Sequence, residues 1–219
     1  MAKVVIFGVG QIAEIAHFYL THDSEHEVVA FTVDREFLKE AQFAGLPVVP
    51  FEEVRALYPP EQYKMLVPIS YRKVNQLRAE KYQQAKQKGY AFITYISSKA
   101  VYYGTPVGEN CFIFESNVIQ PFTKIGDNCI LWSGNHIGHH SVIENHCFIA
   151  SHVVISGKVV VGEYTFIGVN ATVADNLTIG ASNVIGANAV IMKSTEPKAV
   201  FPVAQTEQSA VPSDKLRRF

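Results

Sequence analysis

Cysteine is scarce: the 219 residues hold Cys111, Cys129 and Cys147. An odd number without metal-type spacing argues against both a disulfide framework and a thiolate zinc site. Long apolar runs are missing too, none approaching the roughly 18 residues of a membrane span. The first residues place one lysine before a short apolar strand, which does not read as an export signal. No Lys/Arg-rich block occurs, and the formal net charge is -1. An electrostatic grip on nucleic acid or an anionic membrane is therefore not expected. Hydrophobic residues make up 48% of the chain, ample for a packed core and too many for disorder. A cytoplasmic, soluble protein is expected, whose partners are small molecules or copies of itself.

The three cysteines are 18 residues apart, and that spacing opens a longer repeat. Steps of six from Val107 give Ile113, Ile119, Ile125, Leu131, Ile137, Ile143, Ile149, Ile155, Val161, Ile167, Val173, Ile179, Ile185 and Ile191. The following residue is often small, as at Gly126, Gly138, Gly162, Gly168 and Gly186. Such a period fits neither one helix nor one strand. It fits short strands joined by tight corners, three to a coil of 18 residues, running to about residue 196. The aliphatic residues would stack inward, and the cysteines, with Thr165 and Asn183, would form a second inward column. Flat coil faces invite self-association.

Residues 1–98 carry a different pattern. Strands are expected at 3–7, 27–33, 46–51, 65–69 and 90–96, with helices at 11–20, 53–57 and 73–88. The alternation implies a parallel, doubly wound sheet. Gly8, Gly10, Gln11 and Ala13 follow the first strand and open a helix, and Asp34 closes the second strand. Glycines let a phosphate approach a helix N-terminus, and an acid there can bond a ribose hydroxyl or a base. The segment is short for a full dinucleotide fold, and a purely structural glycine turn is the alternative. Tyr71, Arg72, Asn75 and Arg78 follow the fourth strand, where such sheets bind ligands. They could equally be solvated polar residues.

Five of eight histidines fall within residues 136–152: His136, His139, His140, His146 and His152. In hexad register His139 is the third residue, at a corner, His140, His146 and His152 are the fourth, at successive corners, and His136 precedes an inward isoleucine. A corner histidine can act on a ligand between subunits, and imidazole can take the proton that an attacking amine must lose. Gly157 lies 18 residues after His139, one coil along. Without a side chain, it would leave its N–H open to an acyl oxygen. A metal is the rival use of these imidazoles. The γ-class carbonic anhydrases bind zinc on a β-helix, but no histidine lies beyond His152 to complete their spacing, so no metal is expected.

In its order of parts the chain resembles the hexapeptide-repeat acyltransferases that N-acetylate nucleotide-linked 4-amino-sugars or O-acetylate sialic acids. The most specific stretch runs from Ile137-Gly138-His139-His140 to Ile155-Ser156-Gly157-Lys158. The resemblance implies a Rossmann-like α/β domain at 1–98, a left-handed parallel β-helix at 99–219, and a homotrimer. It also implies acetyl-CoA as co-substrate and a nucleotide-linked amino-sugar as acceptor. His139 is then the base and Gly157 the carbonyl donor, while Val169 and Ala187 meet the pantetheine arm. Gly8, Gly10, Gln11, Asp34, Tyr71, Arg72 and Asn75 would hold the nucleotide-sugar.

The family usually has Asp or Glu after the histidine. Here His140 stands there, so Asn135, His136 or a neighbouring subunit could orient the base instead. No Ser–His–Asp or Cys–His nucleophile is evident, which favours direct transfer over an acyl-enzyme. O-acetylation, a non-catalytic trimeric binding protein and an NAD-dependent oxidoreductase are the alternatives.

Overall fold

The computed structural model describes residues 1–215, so the last four positions of the expected 99–219 unit lie outside the described residues. The chain opens with β1 (Lys3–Phe7), α1 (Gln11–His22), β2 (Glu27–Val33), β3 (Gln42–Phe43), β4 (Leu46–Pro50), α2 (Val54–Leu57), β5 (Tyr63–Leu66) and α3 (Gln76–Gln87). These strands form one sheet in the order β3-β4-β2-β1-β5, parallel except for the β3–β4 hairpin. The chain leaves β1 toward β2 and returns to pair β5 on the other side. A crevice therefore opens between the carboxyl ends of β1 and β5.

Two expectations need correction. The helix expected from residue 73 begins at Gln76, because Lys73, Val74 and Asn75 are all left-handed, with φ of 52°, 52° and 64°. The strand expected over 90–96 splits in two. Phe92 bridges to Met65 beside β5, whereas Tyr95–Ile96 pairs with Phe112–Ile113 in the next unit. The solenoid thus begins before residue 99.

From Tyr95 the chain winds as a three-sided parallel prism, as a left-handed β-helix requires. The first face stacks seven strands, from Tyr95–Ile96 through Phe148–Ile149 and Phe166–Ile167 to Val200–Phe201. The second stacks six, from Val101–Tyr102 through His136–Ile137 and Val154–Ile155 to Val190–Ile191. The third stacks four, from Lys124–Ile125 to Thr178–Ile179. Between Phe112 and Ile191 each strand pairs in register with the one 18 residues on, as Ile137 with Ile155, while the end coils are shorter: Tyr95 pairs with Phe112, Val101 with Val118 and Val184 with Val200. The inward aliphatics from Ile113 to Ile191 form one buried column, each contributing roughly 1.5–3 kcal/mol by leaving water. The second column is a ladder of donors: the thiols of Cys111, Cys129 and Cys147 and the Thr165 hydroxyl each donate to the carbonyl of the residue 15 positions on.

Each corner turns through a residue of positive φ, among them Asn128, His140, His146, His152, Asn170 and Asn188. Asn and His tolerate this conformation better than most side chains.

The α/β unit sits on the first face. Val4, Ile6, Leu20 and Phe31 share one buried cluster with Phe112, Phe114, Ile130 and Phe148. Arg78, fully buried, fastens the junction: its guanidinium donates to the carbonyls of Asn128, Ile69, His146 and Cys147 and to Asn75 Oδ1, at 2.8–3.1 Å. Burial pulls its pKa down to about 10. Asp23 adds a latch, accepting from Tyr95 Oη at 2.6 Å and from Ser97 Oγ and the Ser98 N–H at 3.0 Å. Among the described residues no helix is long and apolar enough to cross a membrane.

Candidate active site

The prism has three edges, and the sequence register decides which residues share one. The edge between the second and third faces carries His139 and His140, then Gly157 and Lys158 one coil on. The His139 imidazole lies directly over Gly157. A Cβ built on that glycine would be 2.6 Å from His139 Cε1 and 2.8 Å from Nε2. The backbone N–H of Gly157 has no hydrogen-bond partner among the described residues. An exposed imidazole and a half-buried glycine with an unpaired N–H therefore stand one above the other.

His139 is held by two contacts. Its backbone N–H donates to Gln120 Oε1 at 2.8 Å, and its Nδ1 is 3.1 Å from Nδ1 of His140. The proposed orienters Asn135 and His136 do neither. Asn135 is buried, donating to the Trp132 carbonyl and accepting from the Val153 N–H. His136 lies in a strand of the second face, in register with Val118 and Val154.

The histidine run does not form one cluster. His146 sits on the edge between the third and first faces, buried, its Nδ1 2.8 Å from Asn128 Nδ2 and its ring against Tyr164. Burial lowers its pKa. His152 occupies the edge between the first and second faces, its ring over Gly134. Among the described residues no three His, Cys, Asp or Glu side chains come together as a metal-binding group.

The glycine turn builds a second site in the crevice between β1 and β5. Gly8 takes φ 115°, and a side chain on Gly10 would meet nothing within 4 Å, so the mouth of α1 is open. Gly10 caps α1 without any side-chain bond, leaving N–H groups free for an anion. Gly8, Gly10, Gln11, Asp34, Tyr71 and Arg72 line one cavity of about 640 Å3 together with Trp132 of the prism. Asp34 is not bare: Lys81 Nζ on α3 lies 2.7 Å from its Oδ1. Asn75 does not join this cavity. It is fully buried, its amide donating to the Tyr164 and Thr165 carbonyls while its Oδ1 accepts from Arg78. Asn75 and Arg78 are docking residues and have no group left for a ligand.

A groove of about 600 Å3 continues from this cavity along the first face, sharing Ile12, Tyr71 and Trp132 with it. It runs past Phe148 and Phe166 to Val169 and Ala187 on the edge between the first and second faces. Tyr71 bridges the units, its ring 5.1 Å from that of Phe148 and 4.6 Å from that of Phe166. Trp132, Phe148, Phe166 and Lys81 were not singled out from the sequence. Phe112, Ile130, Phe148 and Phe166 are nevertheless outward positions 18 residues apart, a spacing that marks a covered face.

Known proteins agree with this architecture. The model described as "Bacterial transferase hexapeptide (six repeats)" matches residues 105–139, 122–157 and 158–193. No curated protein matches the chain. Among solved structures, a perosamine N-acetyltransferase variant from Caulobacter crescentus, in complex with CoA and GDP-perosamine, superposes with a TM-score of 0.83 at 24% identity, over 93% of this chain and 94% of that one. The acetyltransferase domain of PglB from Neisseria gonorrhoeae gives 0.82 at 20% identity, over 93% and 97%. WeeI from Acinetobacter baumannii gives 0.72 at 17% identity, over 91% and 96%. Residues 105–193 are thus hexapeptide repeats of the bacterial transferase type, borne by a chain whose whole fold is that of these acetyltransferase structures.

Proposed function

We propose that the chain transfers the acetyl group of acetyl-CoA to the amino group of a nucleotide-linked amino-deoxy sugar, by direct attack. The observation that carries the reading is the stacking of the His139 imidazole on Gly157 beside an unpartnered N–H. As the amine nitrogen bonds to the thioester carbon, His139 Nε2 takes its proton, and the Gly157 N–H receives the negative charge on the carbonyl oxygen. The C–S bond then breaks, and the departing thiolate recovers the proton from the imidazolium.

The first unit, Rossmann-like in its crevice, would hold the nucleotide: phosphates at Gly8, Gly10 and Gln11, a ribose or base on Asp34, and the sugar side toward Tyr71 and Arg72. The perosamine enzyme structure holds GDP-perosamine and CoA, and a PglB domain structure holds acetyl coenzyme A. On this reading the nucleotide-sugar would take the crevice between β1 and β5 and the pantetheine arm the groove along the first face.

On one protomer His139 and the Val169–Ala187 edge are a full face apart. The face between them is the second, where Val101, Val154 and Val190 are 39–64% exposed. Three prisms turning this face toward a common axis would set the His139 edge of one copy beside the Val169 edge of the next. The pantetheine arm would then run between copies, which is why we infer a homotrimer.

The test is a set of UDP-, dTDP- and GDP-linked 4-amino-4,6-dideoxy sugars with acetyl-CoA, read as thiol release and product mass. An amide product with intersecting double-reciprocal lines is expected, together with a loss of about 10²–10⁴-fold in turnover for His139→Ala. Parallel lines would remove direct transfer, an alkali-labile ester would redirect the acyl group to a hydroxyl, and a fully active His139→Ala would remove the base.

A further inference from the structure

We propose that His140 is a positioning residue for His139, and that the pair is competent only when the single hydrogen between their Nδ1 atoms belongs to His139. The inference rests on the reading of His139 as the base.

Two ring nitrogens 3.1 Å apart must be one donor and one acceptor. If His139 is to take a proton at Nε2, its own hydrogen must sit on Nδ1 and point at a bare Nδ1 of His140, which then carries its hydrogen on Nε2. The opposite arrangement, with His140 donating, forces the His139 hydrogen onto Nε2 and leaves no lone pair for a substrate. An acceptor without a proton of its own has no such second state. Here both states exist, and protonating His140 selects the inactive one. When His139 accepts the substrate proton at Nε2, its Nδ1 hydrogen stays in place and the positive charge is shared against the lone pair of His140.

The ring of His140 is fixed for this task. It packs on Phe122, with centroids 4.7 Å apart and planes at 35°, and its backbone N–H donates to the Pro121 carbonyl at 3.3 Å. Its φ of 59° belongs to the corner. Gln120 holds the His139 backbone from the same side. The charged groups along this edge and the adjoining third face are Lys124, Glu144, Lys158, Asp175 and Lys193, and among the described residues no hydrogen bond or ion pair joins any of them to either ring. The protonation of the pair therefore governs the hydrogen bond.

The experiment compares His140→Asn and His140→Phe with wild type and His139→Ala, as purified full-length proteins, measuring kcat, KM and the pH profile of kcat/KM for acetyl transfer. Asparagine tolerates the left-handed corner and offers an acceptor oxygen that cannot be protonated. It should keep kcat within a few-fold and move the acid limb to lower pH, because protonation can no longer select the blocked state. Phenylalanine is accommodated one coil earlier at Phe122, φ 66°, and keeps the ring stack while removing the acceptor. It should lower kcat by about 10–100-fold with KM little changed, the usual loss when an outer partner of a functional imidazole is removed. A wild-type kcat in His140→Phe, an Asn variant as slow as the Phe variant, or an unmoved acid limb in His140→Asn overturns the proposal. Full activity in His139→Ala instead overturns the base reading beneath it, so the two failures are told apart.

Discussion

Replacing Gly157 by alanine separates two roles that this glycine could have. The new Cβ would stand 2.6 Å from His139 Cε1, 2.8 Å from Nε2 and 3.2 Å from Nδ1. Carbon atoms in ordinary contact keep about 3.5–4.0 Å, so the ring must retreat by about 1 Å. Misplacing a reacting group by that much can cost about 10²-fold in rate, or about 2.7 kcal/mol of barrier. The backbone N–H of residue 157 is untouched, and Gly157 is not in the left-handed region. The fold should therefore tolerate the methyl group and gain about 0.4–1 kcal/mol from a stiffer unfolded chain. Gly157→Ala is expected to keep or raise the melting temperature while lowering kcat about 10²-fold, and in a His139→Ala background it should cost nothing more, since no ring remains to displace. Steady-state thiol release and a thermal melt on the four proteins decide it. Wild-type turnover in Gly157→Ala, or a further fall in the double variant, would refute the idea that this glycine exists to seat the imidazole.

Arg78→Leu removes a buried guanidinium that answers carbonyls on both units, and should destabilise the protein by about 3–5 kcal/mol; a denaturant midpoint unchanged from wild type would deny the clamp. The pKa values of His17, His26 and His146 are lowered chiefly by burial, so the unfolded chain takes up protons that the folded one refuses. Stability should then be full above pH 6.5 and fall as the pH drops below that unfolded value. His146→Asn, which suits the corner and extends the Asn110–Asn128 ladder, should shallow this fall in a series of melts from pH 8 to 5; an identical slope would refute the assignment. Val154→Asp on the exposed second face should shift the protein to monomer by light scattering and abolish turnover while leaving each protomer folded. A trimer that survives the charge would place the contact elsewhere.

The prism was legible because its signal is a strict period, and a period survives where local propensity is ambiguous. The aliphatic column from Ile113 to Ile191 and the cysteine ladder fall where six-residue arithmetic puts them. The vertical neighbourhood of positions 139 and 157 follows from the same arithmetic. The histidine run misled by proximity. His140, His146 and His152 stand at left-handed corners, where Asn and His are both favoured, so turn chemistry explains part of the enrichment. Residues 90–96 read as one strand because both halves are apolar, yet each half belongs to a different sheet. Asn75 and Arg78 looked like ligand residues because they are polar and follow a strand. Their partners, the carbonyls of residues 128, 146, 147, 164 and 165, come from coils far along the chain. A local reading has no access to such contacts.

Two places in the prism set an imidazole over a glycine, and they are not equivalent. Gly134 has φ 79° and so needs glycine for its backbone alone; His152, itself at a left-handed corner, fills the space that results. Gly157 has no such backbone need. Nor does it belong with Gly138, Gly162 or Gly168, which follow an inward aliphatic residue and lie against the backbone of the next coil. Gly157 stands one place later in its hexad, where the three atoms nearest its missing Cβ all belong to the His139 ring. At His152 the turn accounts for the glycine, whereas at His139 the imidazole does. That asymmetry, more than the crowding of histidines, singles out the edge between the second and third faces as the place where chemistry would be done.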